Sequence, residues 1–149
     1  MISRSVCTSI QIAAPAETVW RVLTDFAAYG EWNPFILSVK GPLEVGATLS
    51  FAVAAPAGQV VEASAQLLTL SERELAWGGG NHPLLFQGRH SFMIEPRGNH
   101  VICSNVERFT GLLVPWYIKP ARLKAQRMAF EQQDLALKSR AESLMVRKA

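Results

Sequence analysis

Cysteine is scarce in this chain of 149 residues: Cys7 and Cys103 are the only two, far apart and without a CxxC spacing. That excludes a disulfide framework or a cysteine-rich zinc module, and two reduced, half-buried strand residues in a reducing, cytoplasmic compartment are the expectation. Long apolar runs are also missing. Those present, such as Gly111 to Pro115 with Trp116 beyond, fall far short of the roughly 20 residues that a membrane-spanning helix needs. The opening Met1-Ile2-Ser3-Arg4 carries one basic residue, but the polar Thr8, Ser9 and Gln11 come soon after it, unlike the apolar middle of a signal peptide. No repeat, low-complexity tract or linker divides the chain, and its length is that of one domain spanning residues 1–149. Motifs for several chemistries are absent too. His82, His90 and His100 form no HExxH, so no metal is expected. Gly78-Gly79-Gly80 runs into Asn81-His82-Pro83 without a Lys-Ser/Thr pair, and reads as a flexible connection between strands instead of a phosphate loop. No GxSxG elbow appears, and nothing calls for a cofactor.

What is present is an ordinary globular composition, 49% hydrophobic and 18% charged, with charge placed unevenly. From Pro115 onward eight basic residues face three acids, whereas the first 114 residues carry seven basic and nine acidic ones. Such a basic stretch is the solvated side of a helix or a face for an acidic partner. It has no interleaved aromatic platform, so nucleic acid is not an expected partner.

Val6 to Ile12 alternates with the period of a half-buried strand. Pro15 suits a first helical position, Glu17 complements the dipole of that first turn, and Val19, Trp20, Val22, Leu23 and Phe26 come next at helical spacing. A second short helical piece ends near Gly30, and Pro34 forces Asn33 out of helix. Strands are expected over Phe35–Lys40, Thr48–Ala55, Val60–Leu70, Arg73–Gly78, Leu84–Glu95 and His100–Thr110, separated by Gly- or Pro-bearing turns. Turns this short imply an antiparallel meander. After Pro120, Leu123, Phe130, Leu137 and Leu144 recur every seven residues, with Ala141 beside them, which predicts one long amphipathic helix. Seven strands with a helix against one face make a layered α+β domain.

Small residues on the expected inner faces raise the question of a cavity. Val61, Ala63, Ala65 and Leu67 share one face, and Phe86, Gly88, His90, Phe92 and Ile94 share another. Either the helix sits close to the sheet there, or space is kept open for a ligand. His90 lies among aromatics, and Asn105, Glu107 and Phe109 share one face of the following strand, which periodicity alone does not orient. Turned inward, Glu107 would either pair with His90, stabilising both charged forms, or titrate to neutral.

Ile12-Ala13-Ala14-Pro15-Ala16-Glu17-Thr18-Val19-Trp20, Leu23-Thr24-Asp25-Phe26, Tyr29 and Trp32-Asn33-Pro34-Phe35 resemble the opening of the START-like superfamily, also called Bet v 1-like or SRPBCC. Leu75-Ala76-Trp77, Gly88-Arg89-His90-Ser91-Phe92, Glu107-Arg108-Phe109-Thr110-Gly111-Leu112-Leu113 and Lys138-Ser139-Arg140-Ala141-Glu142 resemble its polyketide cyclase/dehydrase branch. The resemblance implies a helix-grip fold, in which a curved seven-stranded antiparallel sheet wraps a long C-terminal helix around a hydrophobic cavity, with two short helices between strands 1 and 2. It also implies that His90, Glu107 and Phe109 face inward. Members of the group bind lipids, sterols, hormones or polyketides, catalyse cyclisation or dehydration, or assist chaperones, so the fold alone does not choose a function.

These residues suit three functions. The first is a domain that binds a small hydrophobic, amphipathic or aromatic molecule, with Trp32, Asn33, Phe51, Trp77, Phe92, Asn105 and Phe109 lining the site and His90 and Glu107 as its polar handle. The second is a cyclase/dehydratase-type enzyme using His90 and Glu107 as proton-transfer groups. The third is a protein-interaction module using the basic face of the last helix. Gly111 to Ile118, apolar with two aromatics, is either the buried turn that docks this helix, or a gate or transiently membrane-touching edge at the cavity mouth.

Overall fold

A computed structural model describes residues 2–148. The chain forms β1 (Ser3–Ile12), α1 (Ala16–Thr24), a 3-10 segment (Phe26–Glu31), β2 (Ile36–Lys40), β3 (Thr48–Ala54), β4 (Val60–Ser71), β5 (Glu74–His82), β6 (Phe86–Arg97), β7 (His100–Thr110), α2 (Val114–Tyr117) and α3 (Pro120–Lys148). The strands make one antiparallel sheet in the order β1-β7-β6-β5-β4-β3-β2. Only the first strand departs from the meander, by pairing with the last. The long α3 crosses one face, so the helix-grip arrangement implied by the resemblance is the observed one.

Local sequence explains most of this. Val6 and Ile12 of β1 point into the core, and Cys7 between them is exposed. Cys103 is fully buried, so the two free thiols take opposite environments instead of the half-buried position expected of both. Pro15 sits one residue ahead of α1 in an extended conformation, and its carbonyl accepts from Thr18 and Val19 to start the helix. The buried Val19, Val22 and Leu23 fix the inner side of α1. The hydroxyl of Tyr29, itself fully buried, donates to the Leu23 carbonyl at 2.6 Å and ties the 3-10 segment to α1.

Along α3 the buried positions are Phe130, Gln133, Asp134, Leu137 and Ala141, whereas Leu123 and Leu144 at the two ends of the seven-residue pattern are half-buried. The inner stripe is therefore shorter than the pattern suggests, and polar at its centre.

Gly78-Gly79-Gly80, expected as a connection, is strand. β5 runs on to His82 and the turn falls over residues 83–85. The reason is close backbone approach across the sheet: a Cβ on Gly80 would collide with the Phe86 carbonyl oxygen, and one on Gly78 would lie 2.6 Å from that of Gly88. The 111–118 segment divides its roles. Val114 and Ile118 are fully buried against Phe109 and dock the start of α3, while Leu112, Trp116 and Tyr117 face outward. No helix among the described residues is long and apolar enough to cross a membrane.

Candidate functional site

The sheet and α3 do not close on one another along their whole length. Between them lies a chamber of about 350 Å³, walled by Phe51 of β3, Ala63 and Ala65 of β4, Trp77, Gly78 and Gly79 of β5, Phe86, Gly88 and His90 of β6, Glu107 and Phe109 of β7, and Phe130 of α3. The small residues are the cause. Where β4, β5 and β6 present Ala or Gly, no side chain fills the space opposite the helix. Val61 and Ala63 are solvent-exposed, although their face of β4 was expected to be an inner one, because the chamber opens at that side. Seven residues, among them Phe35, Glu107, Phe109, Arg122 and Gln126, also line an outer cleft of about 820 Å³ between α3 and the ends of β2 and β3. Both volumes fall within the usual range of small-molecule sites.

β7 turns Val101, Cys103, Asn105, Glu107 and Phe109 inward, which settles the orientation that periodicity left open. His90 and Glu107 are directly paired residues of β6 and β7, so the sheet register itself brings them together. His90 is sandwiched: its ring stacks on Phe130 with centroids 5.0 Å apart, and the Trp77 ring meets it edge-on at 5.2 Å. Behind it, a buried polar chain runs to the opposite edge of the core. The Thr8 hydroxyl donates to Asp134 Oδ2 at 2.6 Å. Asn105 Nδ2 donates to Asp134 Oδ1 at 3.1 Å and to Gln133 Oε1 at 2.8 Å. Asn105 Oδ1 lies 2.5 Å from His90 Nε2.

This chain of bonds has one consistent direction. A carboxylate only accepts, so the Asn105 amide nitrogen faces Asp134 and its oxygen faces His90. His90 therefore carries its proton on Nε2, leaving the Nδ1 lone pair free. Nδ1 stands 3.9 Å from Glu107 Oε2, longer than a hydrogen bond. Burial pushes the His90 pKa down from 6.5 to about 4, offset in part by the Asn105 bond. Burial pushes Glu107 up from 4.5 to about 7, offset in part by the Arg122 charge. Of the two outcomes expected for an inward Glu107, the pair of opposite charges is not formed. Desolvation favours the neutral form of each group. Near neutral pH Glu107 can hold or release a proton, whereas His90 stays an uncharged acceptor.

The remaining candidates divide. Phe51, Trp77 and Phe109 line the chamber. Phe92 and Asn105 stand one layer behind it, Phe92 packed on Trp77 and His90 with ring centroids 5.8 and 4.8 Å away. Trp32 and Asn33 belong elsewhere, a correction to their expected lining role. Trp32 faces a separate depression beside Arg21, Asp25 and Arg140. Asn33 Oδ1 accepts from the backbone N–H of Phe35 and Ile36 at 2.9 and 2.8 Å, so this side chain shapes the entry into β2. Among the described residues no group of three or more His, Cys, Asp or Glu side chains is placed to hold a metal ion.

Sequence reasoning missed Arg122, Gln126, Gln133 and Asp134. Their signal was nonetheless present, since Arg122, Gln126 and Phe130 lie four residues apart and share a helical face. Asp134 likewise falls within the 130–137–141 stripe that the helix buries.

The open antiparallel sheet gripping a terminal helix around a chamber is the architecture of START/Bet v 1-type proteins. Among solved structures the chain is similar to a START superfamily protein from Mycobacterium smegmatis, with a TM-score of 0.75 and 24% identity over 94% of this chain and 98% of that one. It is also similar to the Zhui aromatase/cyclase from Streptomyces sp. R1128, with a TM-score of 0.71 and 19% identity over 95% and 94% of the two chains. No curated protein matches it in sequence. Residues 3–142 match the family described as polyketide cyclase/dehydrase and lipid transport, and the chain belongs to that family.

Proposed function

We propose that this protein binds a small hydrophobic or amphipathic molecule inside the chamber between its sheet and α3. The observation that supports this reading best is the combination of apolar walls with a few polar groups, among them His90, Glu107, Arg122 and Gln126. The family description, with its reference to lipid transport, agrees with it. The test is tryptophan fluorescence titrated with fatty acids, sterols, flavonoids and aromatic polyketides, read against a Trp77→Phe control because Trp77 is a tryptophan of the chamber wall. A Cβ on Gly88 would face Glu107 Oε1 and Phe109 Cδ1, each at 3.4 Å, so Gly88→Leu fills the chamber from a position with room for a side chain. Saturable quenching that Gly88→Leu abolishes supports an internal site. Equal responses from wild type and Gly88→Leu, both folded, overturn it.

A second reading, an acid–base enzyme of the cyclase/dehydratase type, is favoured by the neutral Glu107 carboxyl beside a fixed His90 tautomer. In it Glu107 moves the proton and the uncharged His90 orients the substrate oxygen. Turnover of a bound polyketide that survives Glu107→Gln would overturn this second reading while leaving the binding site in place. The interaction-module reading gains no such support. Arg127, Lys138 and Arg140 of the basic helix already donate to Cys7, Gln11 and Glu31 of the same chain.

A further inference from the structure

Where the chamber meets the outer cleft, the walls carry an uncompensated positive charge. Glu107 and Arg122 are the charged residues common to both spaces, and the remaining shared lining is Phe35, Val53, Ala55, Phe109 and Gln126. Arg122 makes no ion pair among the described residues. Its guanidinium is nevertheless held in place. The carbon at its centre stands 5.5 Å over the Phe109 ring, and Nη1 donates to the Tyr117 carbonyl at 3.3 Å. The first turn of α3 also contains no acidic residue to offset the positive end of the helix dipole.

Below about pH 7 Glu107 does not supply the missing counter-charge. Desolvation keeps much of its population protonated near neutrality, and in that state its O–H is a second donor facing the same space. A cationic head would meet the guanidinium unfavourably, and an alcohol would gain only neutral hydrogen bonds. A carboxylate matches both the planar fork of an arginine and its single charge.

On the basis of the chamber reading above, we propose that the occupant is an amphipathic carboxylate, its acid head held by Arg122 at the junction of chamber and cleft and its apolar body lying inward against Phe109 and Phe130. A desolvated charge-assisted bond of this kind exceeds a neutral one by enough to give a preference of roughly tenfold.

The test compares decanoate, decanol and decylammonium by calorimetric titration at pH 6, where Glu107 is mostly neutral and decanoate is ionised, with wild type, Arg122→Met and Arg122→Lys, each checked for folding by urea denaturation. The expected order in wild type is decanoate tightest, by about tenfold over decanol, with decylammonium weakest, and the preference for the acid shrinks as salt is added. Arg122→Met keeps the apolar stem and brings the decanoate-to-decanol ratio close to one, while Arg122→Lys retains part of it. Decanol binding as tightly as decanoate to wild type, or an undiminished ratio in Arg122→Met, overturns the acid-head proposal and leaves the chamber reading standing. Failure of all three probes to bind overturns the acid-head proposal, and the fluorescence panel read against Gly88→Leu decides the chamber reading separately.

Discussion

Asn105 Oδ1 lies 2.5 Å from His90 Nε2, and that contact decides which imidazole nitrogen faces Glu107. The decision is made on the opposite side of the core, because Asp134 accepts from the Asn105 amide and so fixes its orientation. A helix residue thus sets the protonation pattern of a sheet residue it does not touch in hydrogen-bonding terms. The same chain links β1 to α3 through the Thr8–Asp134 bond at 2.6 Å.

Asn105→Leu keeps most of the volume and removes every bond made by the amide. His90 Nε2–H, Gln133 Oε1 and Asp134 Oδ1 each lose a partner in a site where Asn105 is fully buried. A loss of about 2–4 kcal/mol of unfolding free energy is expected from urea denaturation. Thr8→Val, at the more accessible end of the chain, is expected to lose only about 1 kcal/mol. Equal losses from the two variants would contradict the view that Asn105 is the central member of the network.

The shifted pKa values of His90 and Glu107 give opposite pH dependences. Glu107 titrates near 4.5 unfolded and about 7 folded, so its contribution is fully present below pH 4.5 and is lost as pH rises through about 7. His90 titrates near 6.5 unfolded and about 4 folded, so its contribution is present above pH 6.5 and is lost as pH falls through about 4. Between these limits the two slopes nearly cancel in wild type. Glu107→Gln removes one of them, and its stability relative to wild type is expected to rise by about 3 kcal/mol between pH 4.5 and 7.5. Urea midpoints across that range provide the measurement. A difference independent of pH would mean that Glu107 titrates as an ordinary carboxylate.

The three consecutive glycines of β5 are not equivalent. A Cβ at Gly80 would collide with the Phe86 carbonyl oxygen and lie 2.8 Å from the Gln87 Cα, contacts that the backbone must move to relieve. At Gly79 the nearest atoms are 3.8 Å away, an ordinary contact. Gly80→Ala is expected to cost about 2 kcal/mol or more, and Gly79→Ala to lie within about 1 kcal/mol of wild type or to stabilise it by limiting the unfolded chain. Thermal unfolding of the two variants checks the order. Similar Tm values would show that the strand does not pass so close to β6.

The architecture was legible because it rests on periodicity. Alternation in β1 and β6, the seven-residue recurrence in α3 and the turn residues all report local geometry that each segment carries by itself. The inward turn of Glu107 was not legible from β7 alone, since Val101, Cys103, Asn105, Glu107 and Phe109 alternate with a face nearly as apolar. The resemblance supplied that orientation. Trp32 and Asn33 were misplaced for a related reason: aromatic and amide side chains suit a ligand pocket, but whether they reach it depends on how the 3-10 segment is set against the sheet, a tertiary relationship. Gly78 to Gly80 look like a turn by composition. Only the neighbouring strand shows that they are glycine because two backbones meet.

Cys7 and Cys103 supply a test of the β1–β7 register that needs no mutation. They lie on adjacent strands, where Cys7 pairs with Val106 and Cys103 with Ile10, and so point to opposite faces. Cys7 is exposed, whereas Cys103 is 2% exposed and burial pushes its thiol up to about 12. At pH 8 a disulfide reagent such as DTNB is expected to modify one thiol per folded chain quickly and the second only as fast as the protein opens. Adding urea to the unfolding midpoint should merge the two phases. A slip of one residue between β1 and its neighbour would turn Cys7 inward and make both thiols slow, so two slow thiols in native buffer would overturn the register.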